Sequence, residues 1–297
     1  MKKKIAIILA LILCVLFSFN NNQSFASQSD NPYGHMVENI LLIGKDGSKD
    51  SAVNRSDTMI ILTIDNLNKC LKLTSIARDT LVEIPGKGLD KINHAYAYGG
   101  IDLLLQTINK NLKMDIKDYA IVDFNSFIEI VDIIGGVDIE VKENEIGQLN
   151  KVINACYNLS SNNEEEIKYI TTGGNQHLNG YQTLAYARIR KMDTIYKRDE
   201  RQRMILTNIA EKLSNTSISK YPSIIKSLVR NIDVNIAFNK LIKMALTSHE
   251  LASYEMKQLE FPKEEYREET KLNGSFVVDW NKEKNIEMLH NFIYKNQ

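Results

Sequence analysis

Thr58-Met59-Ile60-Ile61-Leu62-Thr63-Ile64-Asp65 is followed by Asn66-Leu67-Asn68 and then Lys69-Cys70-Leu71-Lys72-Leu73-Thr74-Ser75. Both flanking runs are rich in apolar and β-branched residues, and turn formers divide them. They read as two strands of a hairpin. Upstream, Asn39 to Ile43 is a short apolar strand. Downstream, Ile101 to Leu112 carries apolar residues at helical spacing after the Gly99-Gly100 break. Tyr119 to Phe124 is strand-like. Phe127 to Ile134 is helical and stops at Gly135-Gly136, where glycine suits a helix end. Val137 to Val141 is another strand.

The remainder repeats the alternation. Helices are expected over Leu178 to Arg188, Asp199 to Leu213, Tyr221 to Arg230 and Ile236 to His249. A last strand, Phe276 to Trp280, precedes a final helix, Asn285 to Tyr294. Lys142 to Tyr169 is polar, contains Glu164-Glu165-Glu166, and reads as an insertion or long loop. The expectation is an α/β fold: a single layered α-β-α domain with a central mixed sheet flanked by helices.

Charge excludes some classes of partner. Lys+Arg and Asp+Glu both number 37 in the 297 residues, so the formal net charge is +0. No global basic field invites nucleic acid, and any anion site must be a local cluster of arginines. Of the three cysteines, Cys14 lies in an apolar N-terminal run; Cys70 and Cys156 stand too far apart in sequence for a disulfide framework or a zinc motif.

The N-terminus has the layout of an export signal. Lys2, Lys3 and Lys4 precede an apolar run from Ile5 to Phe19, and Ser24-Phe25-Ala26 offers small residues for cleavage. At 1.5 Å per residue the run spans about 22 Å, short of the roughly 30 Å of a bilayer core. Cleavage after Ala26 and an uncleaved anchor are the two alternatives. Leu13 precedes Cys14, which argues against a lipid-modified cysteine. Residues 1–26 are thus expected to be signal or anchor, 27–38 a linker, and 39–297 a domain outside the cytoplasm.

Chemistry gathers at the strand ends. The first strand runs into Gly44-Lys45-Asp46, Arg55-Ser56-Asp57 precedes the second, and the third runs into Ala77-Arg78-Asp79-Thr80. Loops at the strand ends of an α/β sheet are where ligands usually sit. Asp46 and Asp57 are hard oxygen donors, of the kind Mg²⁺ takes alongside phosphate oxygens. Arg55 and Arg78 carry planar, permanently charged forks that match phosphate. A second cationic group comprises Arg188 and Arg190 at the end of one expected helix and Arg198-Asp199-Glu200-Arg201-Gln202-Arg203 at the start of the next. Cations favour helix C-termini, which accounts for the first pair; it does not account for cations opening the next helix. Arg198 and Gln202 are four apart and share one helix face.

The stretches NILLIGKD, NRSDTMIIL, SIARDTLVEIPG, KINHAYAYGG, DFNSFIEIVDIIGGVDIEV, HLNGYQTLAYARIRK and KRDERQR occur in this order between Asn39 and Leu213. As a set they resemble the LytR-CpsA-Psr family, also called the cell envelope-related transcriptional attenuator domain. The resemblance implies an apolar tunnel for a polyprenyl chain with its pyrophosphate at the mouth. It implies transfer of a glycan phosphate from an undecaprenyl pyrophosphate carrier to a peptidoglycan hydroxyl at the membrane. By motif position, Asp46 and Asp57 would hold Mg²⁺. Arg55, Arg78, Arg188, Arg190 and Arg198 would clamp the pyrophosphate, with Gln202 completing the site.

Two positions depart from the family pattern. Ala77 replaces a usual proline before Arg78-Asp79-Thr80. Ile195 stands where the family carries an aspartate three residues before the arginine matching Arg198, and the nearest acid is Asp193. Asp193 and Asp79 are therefore both candidates for the general base. Three activities stay open on the sequence: a glycopolymer phosphotransferase, a polyprenyl pyrophosphate hydrolase using water as acceptor, and a lipid-binding or regulatory module. The acid and arginine set argues against the third.

Overall fold

The computed structural model describes residues 36–45, 56–159, 166–189, 195–215, 232–236 and 254–295. The expected signal, the expected linker up to residue 35, and both helices expected between Tyr221 and His249 apart from Ile236 lie outside these; Val37 and Glu38, expected in the linker, are part of the first strand. The chain is α/β, as the strand–helix alternation predicts. It divides into two compact units: a sheet unit of residues 22–121 with 255–297, and an inserted unit that takes in residues 122–254.

The sheet unit contains Val37–Lys45 (β1), Ser56–Asp65 (β2), Cys70–Ile76 (β3), Leu81–Ile84 (β4), Gly88–Lys91 (β5), Ile92–Leu112 (α1) and Asp118–Val122 (β6). β6 ends at the boundary. The inserted unit holds Phe124–Ile133 (α2), Val137–Val141 (β7), Ile146–Tyr157 (α3), Gly174–Leu178 (β8), Gly180–Ala187 (α4), Ile195–Asn215 (α5) and Ile232–Val234 (β9). The chain returns to the sheet unit with Glu255–Phe261 (β10), Arg267–Leu272 (β11), Ser275–Trp280 (β12) and Lys282–His290 (α6).

The hairpin read from the sequence is present. β2 and β3 pair antiparallel from Ile60↔Ser75 to Asp65↔Cys70. β1 runs antiparallel to β2, and β10 runs parallel to β3, giving a mixed sheet in the order β10-β3-β2-β1-β6. Every residue of β3 is buried, its polar Lys72, Thr74 and Ser75 included, as in a strand covered on both faces. Leu41, Ile61, Ile76, Leu104, Ile108, Phe261 and Leu289 belong to the core of this unit. Each large apolar side chain fully buried there contributes about 1.5–3 kcal/mol relative to exposure. Lys72 is buried in the same strand; its Nζ donates to Asp65 Oδ2 at 2.6 Å and to the Ile293 carbonyl at 2.9 Å.

Three expectations are corrected. α1 does not begin after the glycine pair: it starts at Ile92, and Gly99 and Gly100 break it internally. Gly100 has φ +62°, the left-handed region glycine tolerates best, so the pair is a kink rather than a start. The polar stretch from Lys142 to Tyr169 is not a long loop throughout. It contains α3, whose Leu149, Ile153 and Cys156 are buried at helical spacing in the core of the inserted unit. Leu178 closes β8 rather than opening a helix. α4 begins two residues later, where the Asn179 side chain accepts from Gln182 N and Gln182 reaches back to the Asn179 amide.

Candidate active site

In the sheet unit the charged residues collect at one sheet end. β2 and β3 are antiparallel, so the start of β2 and the end of β3 lie together: Ile60 pairs with Ser75, Asp57 is three residues before Ile60, and Arg78 three after Ser75. The β1–β2 register shifts between Gly44↔Thr58 and Lys45↔Ser56, which leaves Asp57 as the extra residue of a bulge. Bulges re-aim a strand and are frequent beside active sites. Asp46 follows Lys45 directly in sequence but, with Arg55, lies outside the described residues.

Arg78 and Asp79 occupy the middle of a turn after β3. Thr80 closes it twice, its amide donating to the Ala77 carbonyl at 3.0 Å and its hydroxyl at 2.6 Å. The turn backbone is held from three sides. Ala77 N donates to Phe261 O of β10 at 2.8 Å, Asn93 N of α1 to Arg78 O at 3.2 Å, and Val278 N of β12 to Asp79 O at 2.9 Å. Trp280 Nε1 adds a bond to the Leu81 carbonyl at 2.8 Å. The C-terminal strands therefore hold the turn that presents Arg78.

Asp79 is 5% exposed, and both its carboxylate oxygens are engaged. Oδ1 accepts from Lys91 Nζ at 2.8 Å and Oδ2 from Arg78 Nε at 3.3 Å. Two cations thus share one carboxylate, and the Arg78 side chain keeps 23% exposure against 7% for Asp79. The arrangement suits an anionic ligand contacted by the arginine while the aspartate orients it. Asn93, in the first turn of α1, is buried, and its Oδ1 has no hydrogen-bond partner among the described residues. Lys91 and Asn93 were not among the site residues expected from sequence. Both sit in KINHAYAYGG; what hid them was the β4–β5 hairpin, whose Pro85-Gly86-Lys87-Gly88 turn is the signal that could have placed Lys91 beside Asp79.

In the inserted unit, Arg188 caps the C-terminal end of α4. Its guanidinium lies 4.5 Å from the Phe124 ring centroid, a cation–π contact, and its Nη1 donates to Cys156 Sγ at 3.6 Å. Burial pushes the Cys156 thiol above its ordinary range, while the Arg188 charge acts the other way. α4 can approach α2 this closely because residue 180 is glycine: an added Cβ would stand 2.3 Å from the Ile128 carbonyl oxygen. Gly180 N donates to Asp132 Oδ1 at 2.7 Å; burial raises the Asp132 carboxyl, and this bond opposes the rise. On α5, Arg198 is buried with Asp199 at 3.6 Å, and Gln202 is half-buried. Arg190 and Asp193 lie outside the described residues. Among those residues no group of three or more His, Cys, Asp and Glu could hold a metal. A fit of Mg²⁺ would rest on Asp46 and Asp57, whose hard oxygen donors suit it; Asp57 is the bulge residue of β2, and Asp46 lies outside the described residues.

Fold and charge together define an α/β protein with basic, phosphate-suited groups at element ends. The chain belongs to the LytR_cpsA_psr family, whose sequence model matches residues 18–292. It is 35% identical over 209 residues to the polyisoprenyl-teichoic acid–peptidoglycan teichoic acid transferase TagU of Bacillus mycoides (strain KBAB4), covering 69% of this chain and 62% of that protein. The chain spans less than two thirds of the length of the curated relatives it matches. Among solved structures, TagT bound to LIIa-WTA is 25% identical with a TM-score of 0.71, over 92% of this chain and 97% of that one. Protein gbs0355 from Streptococcus agalactiae is 26% identical with a TM-score of 0.72, over 91% of each chain.

Proposed function

We propose that this chain is an extracytoplasmic transferase that moves a phosphate-linked glycopolymer from an undecaprenyl pyrophosphate carrier to peptidoglycan. The observation that carries the reading is the Arg78–Asp79–Lys91 group, two cations on one buried carboxylate at a sheet end in a chain of zero net charge. Relatives named as teichoic acid transferases, and a structural neighbour bound to LIIa-WTA, support the same chemistry.

In this reading Arg55, Arg78, Arg188, Arg190 and Arg198 contact the pyrophosphate oxygens, and Gln202 donates a further bond. Asp79 orients Arg78 and Lys91. Mg²⁺ held by Asp46 and Asp57 would supply further neutralisation of phosphate charge. Transfer is a balanced exchange at phosphorus. The acceptor hydroxyl oxygen bonds to the phosphorus that carries the glycan, the bridging P–O bond breaks, and the carrier leaves as polyprenyl phosphate. The hydroxyl proton passes to a base, for which Asp193 is the candidate, since both oxygens of Asp79 are engaged. Phosphoryl transfer asks a protein mainly for positioning and charge neutralisation, which such a set provides. Lys2 to Lys4 and the apolar run after them support a site on the outer membrane face, anchored or secreted. Among the described residues no helix is long and apolar enough to cross a membrane.

The test is incubation with a lipid-pyrophosphate glycan and Mg²⁺, with and without peptidoglycan fragments, with products weighed by mass spectrometry. A glycan phosphate joined to peptidoglycan is expected. Free glycan phosphate in equal yield with and without fragments would make the protein a hydrolase instead, and unchanged lipid throughout would make it a binding module.

A further inference from the structure

The stretch Arg198 to Arg203 carries three arginines, and the structure gives one of them a different task. Arg201 is 5% exposed, so it is not a surface charge. Its Nη2 donates to the carbonyl of Ile189 at 3.0 Å. Ile189 is the residue between Arg188 and Arg190 in sequence, immediately past the end of α4, where carbonyls lose their intrahelical partners. Its own side chain is fully buried. Arg201 Nη1 pairs with Glu145 Oε1 at 3.3 Å. Glu145 Oε2 accepts from Tyr186 Oη at 3.3 Å and from Lys142 N at 3.0 Å. Tyr186 belongs to the last turn of α4, and the Arg201 guanidinium lies 5.6 Å from its ring centroid. The ring closes on itself: α5 holds Ile189 through Arg201, Arg201 is held by Glu145, and Glu145 is tied back to α4 through Tyr186.

We propose that Arg201, with Glu145 and Tyr186, is a positioning residue that fixes the backbone after α4 and so aims Arg188 at the pyrophosphate. The inference rests on the proposed function. A buried ion pair is weak support for stability, because apolar replacements of similar volume are often as stable. What this one supplies is a bond to the carbonyl of Ile189, the one residue between Arg188 and Arg190. Without it the backbone just past α4 loses its bond to α5, and the guanidinium of Arg188 loses its register over Phe124.

The experiment is a double-mutant cycle on the full chain, read as equilibrium affinity for a short-chain polyprenyl pyrophosphate at fixed salt. Arg201→Lys keeps the charge but loses the two-pronged geometry. It should weaken binding about tenfold alone, and by less than about twofold when added to Arg188→Ala. Tyr186→Phe, which removes one hydroxyl, should show the same non-additivity with a smaller loss, and it carries the test if Arg201→Lys does not fold. Additive losses, or wild-type affinity in folded Arg201→Lys, would overturn the positioning role while leaving the site reading intact. If Arg188→Ala itself binds as wild type, the site reading fails and the proposal with it.

Discussion

The amide of Ala77 donates to the carbonyl oxygen of Phe261 at 2.8 Å, joining the turn that presents Arg78 to β10. Proline, usual at this place in the family, has no amide hydrogen and could not make the bond. The departure noted in the sequence therefore coincides with a bond the usual residue cannot form. Ala77→Pro should destabilise the chain by about 1 kcal/mol, the ordinary net worth of a hydrogen bond. Urea unfolding of the two proteins measures this. A stabilised variant would mean that restricting the unfolded chain outweighs the bond.

The Lys72–Asp65 pair is fully buried. Lys72→Met would strand the Asp65 carboxylate in the core and should cost about 3–5 kcal/mol, whereas replacing both by apolar residues should cost less. Burial alone would raise the Asp65 carboxyl, but bonds from Lys72 and Asn68 outweigh it and hold the group below its usual 3.8. A carboxyl lower in the folded state gives stability that is present above the unfolded value and lost as pH falls through the folded one. The acid-side fall in unfolding midpoint should therefore be shallower in the double variant. Identical profiles would show that another group governs the acid limit.

How much of this was legible depended on pattern strength. The β2–β3 hairpin was plain, because eight mostly apolar residues, an Asn-rich turn and a second apolar run leave few alternatives. α3 was hidden because only Leu149, Ile153 and Cys156 among its twelve residues are buried, and flanking polar residues dilute the period. Glu255 to Phe261 is hard to read as a strand because only Met256, Leu259 and Phe261 of its seven residues are apolar and Lys257-Gln258 breaks their alternation; the register with β3 makes it a strand. At the site, charge and motif picked Arg78, Asp79 and Arg188. They assigned Arg198 to the clamp but gave Arg201 no task, because the partners of a buried arginine are set by what it meets in the fold.

Gly180 is where α4 meets α2. A methyl group there would enter the Ile128 carbonyl, so Gly180→Ala must push the helix away. Overpacking of this kind costs about 1–3 kcal/mol. Because α4 ends at Arg188, the variant should lose affinity for polyprenyl pyrophosphate as well as stability. Equal affinity in a destabilised variant would show that the α2–α4 spacing does not govern Arg188.

Asp57 is the extra residue of the bulge that β2 forms against the end of β1, and Asp46 follows β1 directly in sequence. Asp46→Ala and Asp57→Ala should each abolish Mg²⁺-dependent turnover and leave the far-ultraviolet circular dichroism unchanged. Wild-type turnover that survives excess chelator would remove the metal from the reaction.

Arg188 offers the sharpest distinction between a ligand and an ordinary helix-end cation. A helix-end cation needs only charge, so lysine would replace it and alanine would cost a few tenths of a kcal/mol. Arg188 instead lies against the Phe124 ring at 4.5 Å with Cys156 Sγ at 3.6 Å, an environment that selects a flat, weakly hydrated guanidinium. A hydrogen bond from a charged group to phosphate contributes about 1.5–3 kcal/mol, and about 1.4 kcal/mol is a factor of ten. Arg188→Ala should thus weaken polyprenyl pyrophosphate binding roughly ten- to a hundredfold. Arg188→Lys should recover part of it, because the charge remains while the stacked fork is gone. Raising the salt should weaken wild type more than Arg188→Ala, since the variant has one cation fewer to screen. Titrations of the three proteins at two salt concentrations give all of these values. Lysine as good as arginine, with alanine nearly so, would return Arg188 to the role of a helix-end charge.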